Sequence, residues 1–175
     1  HGFTGPEFML EGAQGFYDAM CPDPIPERLV ADPQGPWKIW ETSFKPWPAC
    51  RHTHPAIDAA LALYANHVAD EIRAIRIETF GDARVFCENP SPTTTQQAKF
   101  SLEHAVAIVL ADGAPTLDGF EPAALQRPDV TRLRNATSIA VTDAFDSAYP
   151  AHFGASVHLE LMNGSRDTAN NAERS

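Results

Sequence analysis

Apolar residues recur along the chain with two different periods, and each period predicts a type of element. After Pro55, which suits a first helical position, the apolar residues follow the i, i+3, i+4, i+7 spacing of an amphipathic helix. They are Ile57, Ala60, Leu61, Tyr64 and Val68. A second helix is predicted after Ser101, a favourable N-cap residue, and ends at Asp112-Gly113. The pattern therefore predicts two long helices, each with one buried face.

A period of two, typical of half-buried strands, marks other segments. Residues 71–80 alternate Ile75 and Ile77 with Arg76 and Glu78, and residues 138–142 and 156–162 predict two further strands. Residues 37–44 are rich in aromatic residues and predict the first strand of the chain. Short helical pieces are predicted at 120–125 and 130–135. These elements favour an α+β sandwich in which two long helices cover one face of a mainly antiparallel sheet of about four strands.

Proline distribution divides the chain. Five prolines between residues 21 and 36 predict a connector, with one helical turn from Glu27 to Val30. Residues 1–20 precede it and are too short to form a core of their own. We expect their aromatic residues to form an exposed apolar patch that favours self-association, for instance as a homodimer. That patch is predicted to involve Phe3, Phe8, Phe16 and Tyr17. Residues 37–165 are predicted to form the small domain and 166–175 a tail.

Composition excludes several classes of protein. The chain has 175 residues and carries 23 acidic against 13 basic side chains, a net charge of -10, so nucleic acid is not an expected partner. No apolar run approaches the roughly 20 residues that a membrane span needs, and no secretory signal is visible. Three widely spaced cysteines give no disulfide framework, so a cytoplasmic location is expected.

One segment reverses the acidic character of the chain. Residues 42–57 contain no Asp or Glu, but they include Lys45, Arg51, His52 and His54. Because this segment leads into the helix that starts at Pro55, free N–H groups and the positive end of the helix dipole favour a bound carboxylate or phosphate. The same dipole favours a neutral imidazole at His54.

Two other interpretations of this segment stay open. The cations could be solvated and His54 could only cap the helix, or Cys50, His52 and His54 could share one face of an extended segment and bind a metal. Because Arg51 adds positive charge and no fourth ligand is evident, we expect no metal. Lys99 and His104, near the second helix, are weaker candidates.

Residues 43–61, Ser-Phe-Lys-Pro-Trp-Pro-Ala-Cys-Arg-His-Thr-His-Pro-Ala-Ile-Asp-Ala-Ala-Leu, resemble the signature of the MmgE/PrpD family. Residues 2–6, 10–16 and 98–113 support the resemblance in the same order along the chain. The family includes 2-methylcitrate dehydratases, cis-aconitate decarboxylases and iminodisuccinate epimerases.

The resemblance implies a fold in which a large helical domain carries an inserted α+β domain similar to chorismate mutase. Residues 1–20 would then be a remnant of the helical domain, and the rest of that domain, which would complete the active site, would be a partner from the same polypeptide. The tail departs from the family pattern. The chain is therefore expected to be a fragment, inactive alone.

The resemblance also implies a small di- or tricarboxylate substrate and no metal or organic cofactor. Lys45 and Arg51 would hold carboxylates, and His54 would orient the substrate or move a proton. Cys50 and His52 would be neighbours of the substrate. A lyase is the leading interpretation, with an epimerase or a non-catalytic carboxylate-binding module as alternatives.

Overall fold

A computed structural model describes residues 2, 4–5, 7–25, 27, 32 and 34–171. The chain divides into two compact units, His1–Phe44 and Lys45–Ser175. In the first unit, the described residues include helix α1, Phe16–Met20, and a 3-10 helix, Lys38–Glu41. Of the helical turn predicted from Glu27 to Val30, residues 28–30 lie outside the described ones.

The second unit contains the sheet. Its strands are β1 (Ile72–Thr79), β2 (Thr137–Val141), β3 (Ala155–Leu161) and β4 (Arg166–Asn171), in the order β2-β1-β3-β4. β2 runs parallel to β1, whereas β1 with β3 and β3 with β4 are antiparallel. The predicted α+β class with a four-stranded sheet is confirmed, and the sheet is mixed.

Helices lie before and between these strands. They are α2 (His54–Tyr64), α3 (Gly81–Cys87), α4 (Thr95–Lys99), α5 (Leu102–Asp112), α6 (Pro122–Leu125), α7 (Pro128–Asn135) and α8 (Asp143–Asp146). Further 3-10 helices lie at Arg51–Thr53, Ala69–Glu71 and Leu117–Phe120. α2 packs against β3 and β4, and α5 packs against α2 and α7. The two long predicted helices therefore exist and share one core.

Strand alternation places the apolar residues on one face of the sheet. Ile75 pairs with Leu159 and Ile77 with Val157, and all four side chains are buried. On the opposite face, Arg76 forms an ion pair of 2.9 Å with Glu78. Because successive side chains point to opposite faces, the periodicity of β1 separates core from solvent from Ile75 to Thr79. A register irregularity between Ile72 and Ala74 interrupts the alternation at the start of the strand.

Local chemistry sets both ends of α5. At its start, the Ser101 hydroxyl accepts a hydrogen bond of 3.0 Å from the His104 amide, which satisfies one of the free N–H groups. At its end, Gly113 has a φ of +86°, and a Cβ there would lie 2.9 Å from Tyr64. Glycine is therefore required by the backbone conformation and by the close approach of α2.

The predicted strand at residues 37–44 is wrong. Lys38–Glu41 form a 3-10 helix, and Trp37 and Trp40 are about four-fifths exposed. Their β propensity finds no partner strand among the described residues. The Thr42 amide and hydroxyl instead donate to the Ile39 carbonyl, at 3.2 and 2.6 Å. Local turns thus satisfy backbone groups that an unpaired strand would leave to solvent.

The tail predicted at residues 166–175 is wrong over its first six residues, because Arg166–Asn171 form β4 at the sheet edge. β4 has no apolar alternation, because its sequence is polar on both sides except for Ala169, which lies on the inner side. It reverses from β3 through Asn163-Gly164, where Gly164 has a φ of +82°. Sequence periodicity also missed α3, α4 and α8, which are short.

Several large apolar side chains of the first unit are exposed, as predicted for Phe8 at 60% and Phe16 at 52%. Tyr17 is half-buried, and Phe3 lies outside the described residues. No described helix is both long and apolar enough to cross a membrane.

Leu159→Ala should lower the free energy of unfolding by about 2–5 kcal/mol, because it opens a cavity beside Ile75 in the centre of the sheet. Met162→Ala is the matched control, since Met162 follows β3 and is 60% exposed. Urea unfolding followed by circular dichroism measures both. Equal losses in the two variants would contradict this account of the core.

Candidate functional site

Residues 45–50 form a proline-rich segment that is fixed onto α2. The indole N–H of Trp47 donates a hydrogen bond of 2.9 Å to the Asp58 carboxylate on α2. The side-chain amide of Asn171 donates to the other oxygen of the same carboxylate at 2.7 Å. Asp58 therefore joins the segment, α2 and the edge strand β4.

A backbone hydrogen bond ties this segment to α4. The Cys50 amide donates to the Lys99 carbonyl at 2.8 Å. A pocket of about 460 Å³ lies where the two segments meet. Its lining consists of Lys45, Pro46, Trp47, Pro48, Ala49, Cys50, Lys99, Phe100 and Leu117.

The charge of this pocket is opposite to that of the chain. Two of the three lysines of the sequence, Lys45 and Lys99, line it, and its described lining contains no carboxylate. The whole chain carries a net charge of -10. Like charges placed together without a counter-ion raise the electrostatic potential of a concave surface. The pocket is therefore suited to a small anion, which is the ligand class predicted for this segment.

Cys50 contributes a thiol to the pocket wall. Its sulfur lies 3.4 Å from Nδ1 of His52. The buried thiol of Cys87, at the end of α3, is a further neighbour. Burial, followed by the neighbouring Cys50, raises the pKa of Cys87, so this thiol stays protonated.

His52 lies in an aromatic cluster behind Cys50. Its ring centroid is between 5.3 and 6.2 Å from those of four aromatic rings, namely Phe80, Phe86, Tyr149 and Phe153. Burial lowers the pKa of His52; Asp82 opposes this change, and Arg51 and Lys45 add to it. The imidazole is therefore neutral at neutral pH.

His54, the first residue of α2, is almost completely buried at 1% exposure and does not line the pocket. Its Nε2 lies 3.3 Å from the carbonyl oxygen of Ala49, and Nδ1 has no hydrogen-bond partner among the described residues. Burial is the main cause that lowers the pKa of His54, and the hydrogen bond to Ala49 partly opposes this change.

Arg51 lies beside the aromatic cluster. Its guanidinium carbon is 5.1 Å from the ring centroid of Phe153, a cation–π distance. Like His52 and His54, Arg51 does not line the pocket. Of the residues that the sequence predicts for the site, Lys45 and Cys50 therefore come together there.

Backbone conformation separates the alternating residues Cys50, His52 and His54. Residues 51–53 form a 3-10 helix that continues into α2, so these three side chains do not share one face as they would in an extended segment. Within the described ranges, no group of three or more His, Cys, Asp or Glu residues has an arrangement that could hold a metal ion.

Lys99 is the pocket residue to which the sequence pattern gave little weight. Lys99 is the last residue of α4, and its carbonyl meets the Cys50 amide only through the tertiary fold. The sequence signals available were its place beside the Ser101 cap and the rarity of lysine in this chain. His104, the other weak candidate, is buried on α5 and lies 2.8 Å through Nε2 from the Gly119 carbonyl.

Comparison with family models gives a match over most of the second unit. The model described as MmgE/PrpD C-terminal domain matches residues 47–173. This span includes Cys50 and Lys99 and begins two residues after Lys45. A search of curated proteins found no match to the chain.

His54 should make folding stability sensitive to acid. Because burial holds its pKa below the ordinary value, the unfolded chain takes up a proton at a higher pH than the folded chain does. The free energy of unfolding therefore falls as pH decreases below about 6.5, the ordinary pKa of histidine. His54→Asn, which removes this proton uptake, should show a smaller fall in melting temperature between about pH 7.5 and about pH 5.5.

Other buried groups also change the free energy of unfolding in this pH range. His52 and His104, whose pKa values burial lowers, act in the same direction as His54. Glu103, whose pKa burial raises, acts in the opposite direction. The measurement is therefore the difference between His54→Asn and the parent chain. Identical pH profiles would show that His54 is not held neutral.

Proposed function

Because the chain belongs to the MmgE/PrpD family, we propose that it is the carboxylate-binding domain of a cofactor-free lyase acting on a small di- or tricarboxylate. Members of this family are generally enzymes of the dehydratase or lyase type. 2-Methylcitrate and cis-aconitate are the substrates that the family resemblance suggests. The observation that carries the proposal is the pocket lined by Lys45 and Lys99 in a strongly acidic chain.

The proposed chemistry requires cations near the reacting carbon. Elimination or decarboxylation next to a carboxylate places negative charge on the substrate, and fixed cations stabilise that charge. Lys45 and Lys99 would each bind one carboxylate of a polycarboxylate. The apolar part of the lining, Phe100 and Leu117, would cover the carbon skeleton.

The histidines take supporting roles in this proposal. His54 contacts the carbonyl of Ala49, which lines the pocket, so His54 would be a positioning residue for this wall. Arg51 would add to the positive potential next to the pocket. Proton transfer would then come from the helical domain that the family resemblance implies, whether the reaction is an elimination or an epimerisation.

Carboxylate binding can be measured on the chain by itself. Citrate, added in an NMR titration of backbone amides, should shift the signals of Lys45, Cys50 and Lys99 first. Lys45→Ala and Lys99→Ala should each weaken binding by about three- to tenfold, because an exposed charged contact contributes about 1 kcal/mol. Arg166→Ala, an exposed cation on the outer face of the sheet, should leave the affinity unchanged.

Two results would contradict this pocket. One is a citrate-induced shift confined to the outer face around Arg166. The other is an affinity that does not change in the double variant Lys45→Ala/Lys99→Ala. Binding should also weaken as ionic strength rises, since these charges are exposed to solvent.

Turnover should require more than this chain. We expect the purified chain to bind cis-aconitate without converting it, because the rate of such a reaction depends on groups positioned from both sides of the substrate. A spectrophotometric assay of cis-aconitate loss tests this expectation. Sustained conversion would show that the chain holds the complete catalytic set, whereas binding without conversion is also what a carboxylate-binding module would give.

A further inference from the structure

The sulfur of Cys50 lies beside a proton acceptor, the imidazole of His52. Nδ1 of His52 is 3.4 Å from this sulfur. The buried thiol of Cys87 is a second neighbour, and its pKa is raised first by burial and then by Cys50. Nucleophilic attack by a thiol requires loss of its proton and stabilisation of the negative sulfur. His52 can accept the proton, and Lys45 and Lys99 are the cations of the pocket that Cys50 lines.

The surroundings of His52 favour one tautomer. Its Nε2 is buried and has no hydrogen-bond partner among the described residues. A neutral imidazole has one N–H, and an N–H can face aromatic rings, such as Phe80 and Phe153 in this cluster. With the proton on Nε2, Nδ1 keeps a lone pair directed to the Cys50 thiol. His52 can then accept the thiol proton as the sulfur attacks.

The pocket selects the charge of the electrophile. Cys50, Lys45 and Lys99 line the same concave surface of about 460 Å³. An anionic electrophile would be concentrated there, and pairing its carboxylate with a lysine would make the conjugated double bond more electron-poor. A neutral electrophile would gain neither advantage.

We propose that Cys50 is a covalent modification site that adds to α,β-unsaturated carboxylates held in this pocket. The inference rests on the proposed carboxylate pocket and extends it, because dehydration of a hydroxycarboxylate produces this kind of molecule. The Cys50 sulfur forms a bond to the β-carbon while the carbon–carbon π bond breaks. The thiol proton moves to Nδ1 of His52 and then to the α-carbon, so the addition needs no oxidant or reductant.

The two other cysteines provide internal references. Cys87 is completely buried, and burial raises its thiol pKa, so we expect it to react slowly. Cys21 is half-buried in the first unit and does not line the cationic pocket. All three thiols meet the reagent in one sample, and peptide mass spectrometry measures each separately.

Fumarate and fumaramide form a matched pair for the test, because they share one skeleton and differ in charge. The chain is incubated with each reagent, and adducts at Cys50 and Cys21 are measured over time. The ratio of the fumarate rate to the fumaramide rate should be at least about threefold higher at Cys50 than at Cys21. An equal ratio at the two cysteines, or no fumarate adduct at Cys50, would overturn the inference.

Variants separate the contributions of charge and proton acceptor. Lys45→Ala/Lys99→Ala should slow the reaction of Cys50 with fumarate more than the reaction with fumaramide, because the lysines attract the anionic reagent in addition to favouring the thiolate. His52→Phe, which keeps an aromatic ring in the cluster, should slow both reagents by a similar factor. Because His52→Phe could disturb packing, the lysine variant, which changes only pocket-lining side chains, is the deciding one. A lysine variant with the parent rates for both reagents would also overturn the inference.

The proposed function and this inference fail differently. Citrate binding at Lys45 and Lys99 without a fumarate adduct at Cys50 would support the carboxylate pocket and contradict the modification site. Absence of citrate binding, together with labelling of Cys50 that does not favour fumarate over fumaramide, would contradict both proposals.

Discussion

The hydrogen bond from the Cys50 amide to the Lys99 carbonyl joins the two segments on which the candidate site depends. Residues 45–50 are held on α2 through Trp47 and Asp58, and Lys99 ends α4, just ahead of the helix that Ser101 caps. Without this link, each lysine would lie on a separate solvated segment. With it, two cations face one concave surface, and their mutual repulsion is relieved by binding an anion.

The core explains why this arrangement can persist. α2 and α5 pack together, and Gly113 allows Tyr64 to approach closely. Since interiors are close-packed, the ends of the two helices cannot shift independently. The pocket is thus placed by helix ends that the core fixes, while its own lining stays partly exposed. Buried His54 belongs to this supporting structure, because its ring contacts the Ala49 carbonyl beneath the pocket wall.

Periodicity predicted α2, α5, β1 and β3, because burial imposes the pattern. The single buried face predicted for α5 is wrong, since every residue from Leu102 to Leu110 is buried. Periodicity failed where pairing with a distant segment decides whether a strand forms. Residues 37–44 have strand-forming side chains but no partner strand among the described residues. β4 pairs with β3 through its backbone and has little apolar periodicity. The Asn163-Gly164 pair, a strong hairpin signal, could have revealed β4. In the candidate site, Lys45 was predicted from the basic character of its segment and Cys50 from the family motif. Lys99 belongs to the candidate site only because of a tertiary contact, its backbone hydrogen bond with Cys50. The extended conformation assumed for Cys50, His52 and His54 is wrong, because this segment forms a 3-10 helix that continues into α2.

The central claim is that Lys45 and Lys99 hold the carboxylates of one ligand. A crystal structure of the chain with citrate tests it most directly. Citrate oxygens should lie within about 4 Å of both lysine Nζ atoms, the usual limit for an ion pair, with the ligand carbon skeleton against Phe100 and Leu117. Citrate bound only to the arginines of the outer sheet face, with water at both lysines, would contradict it.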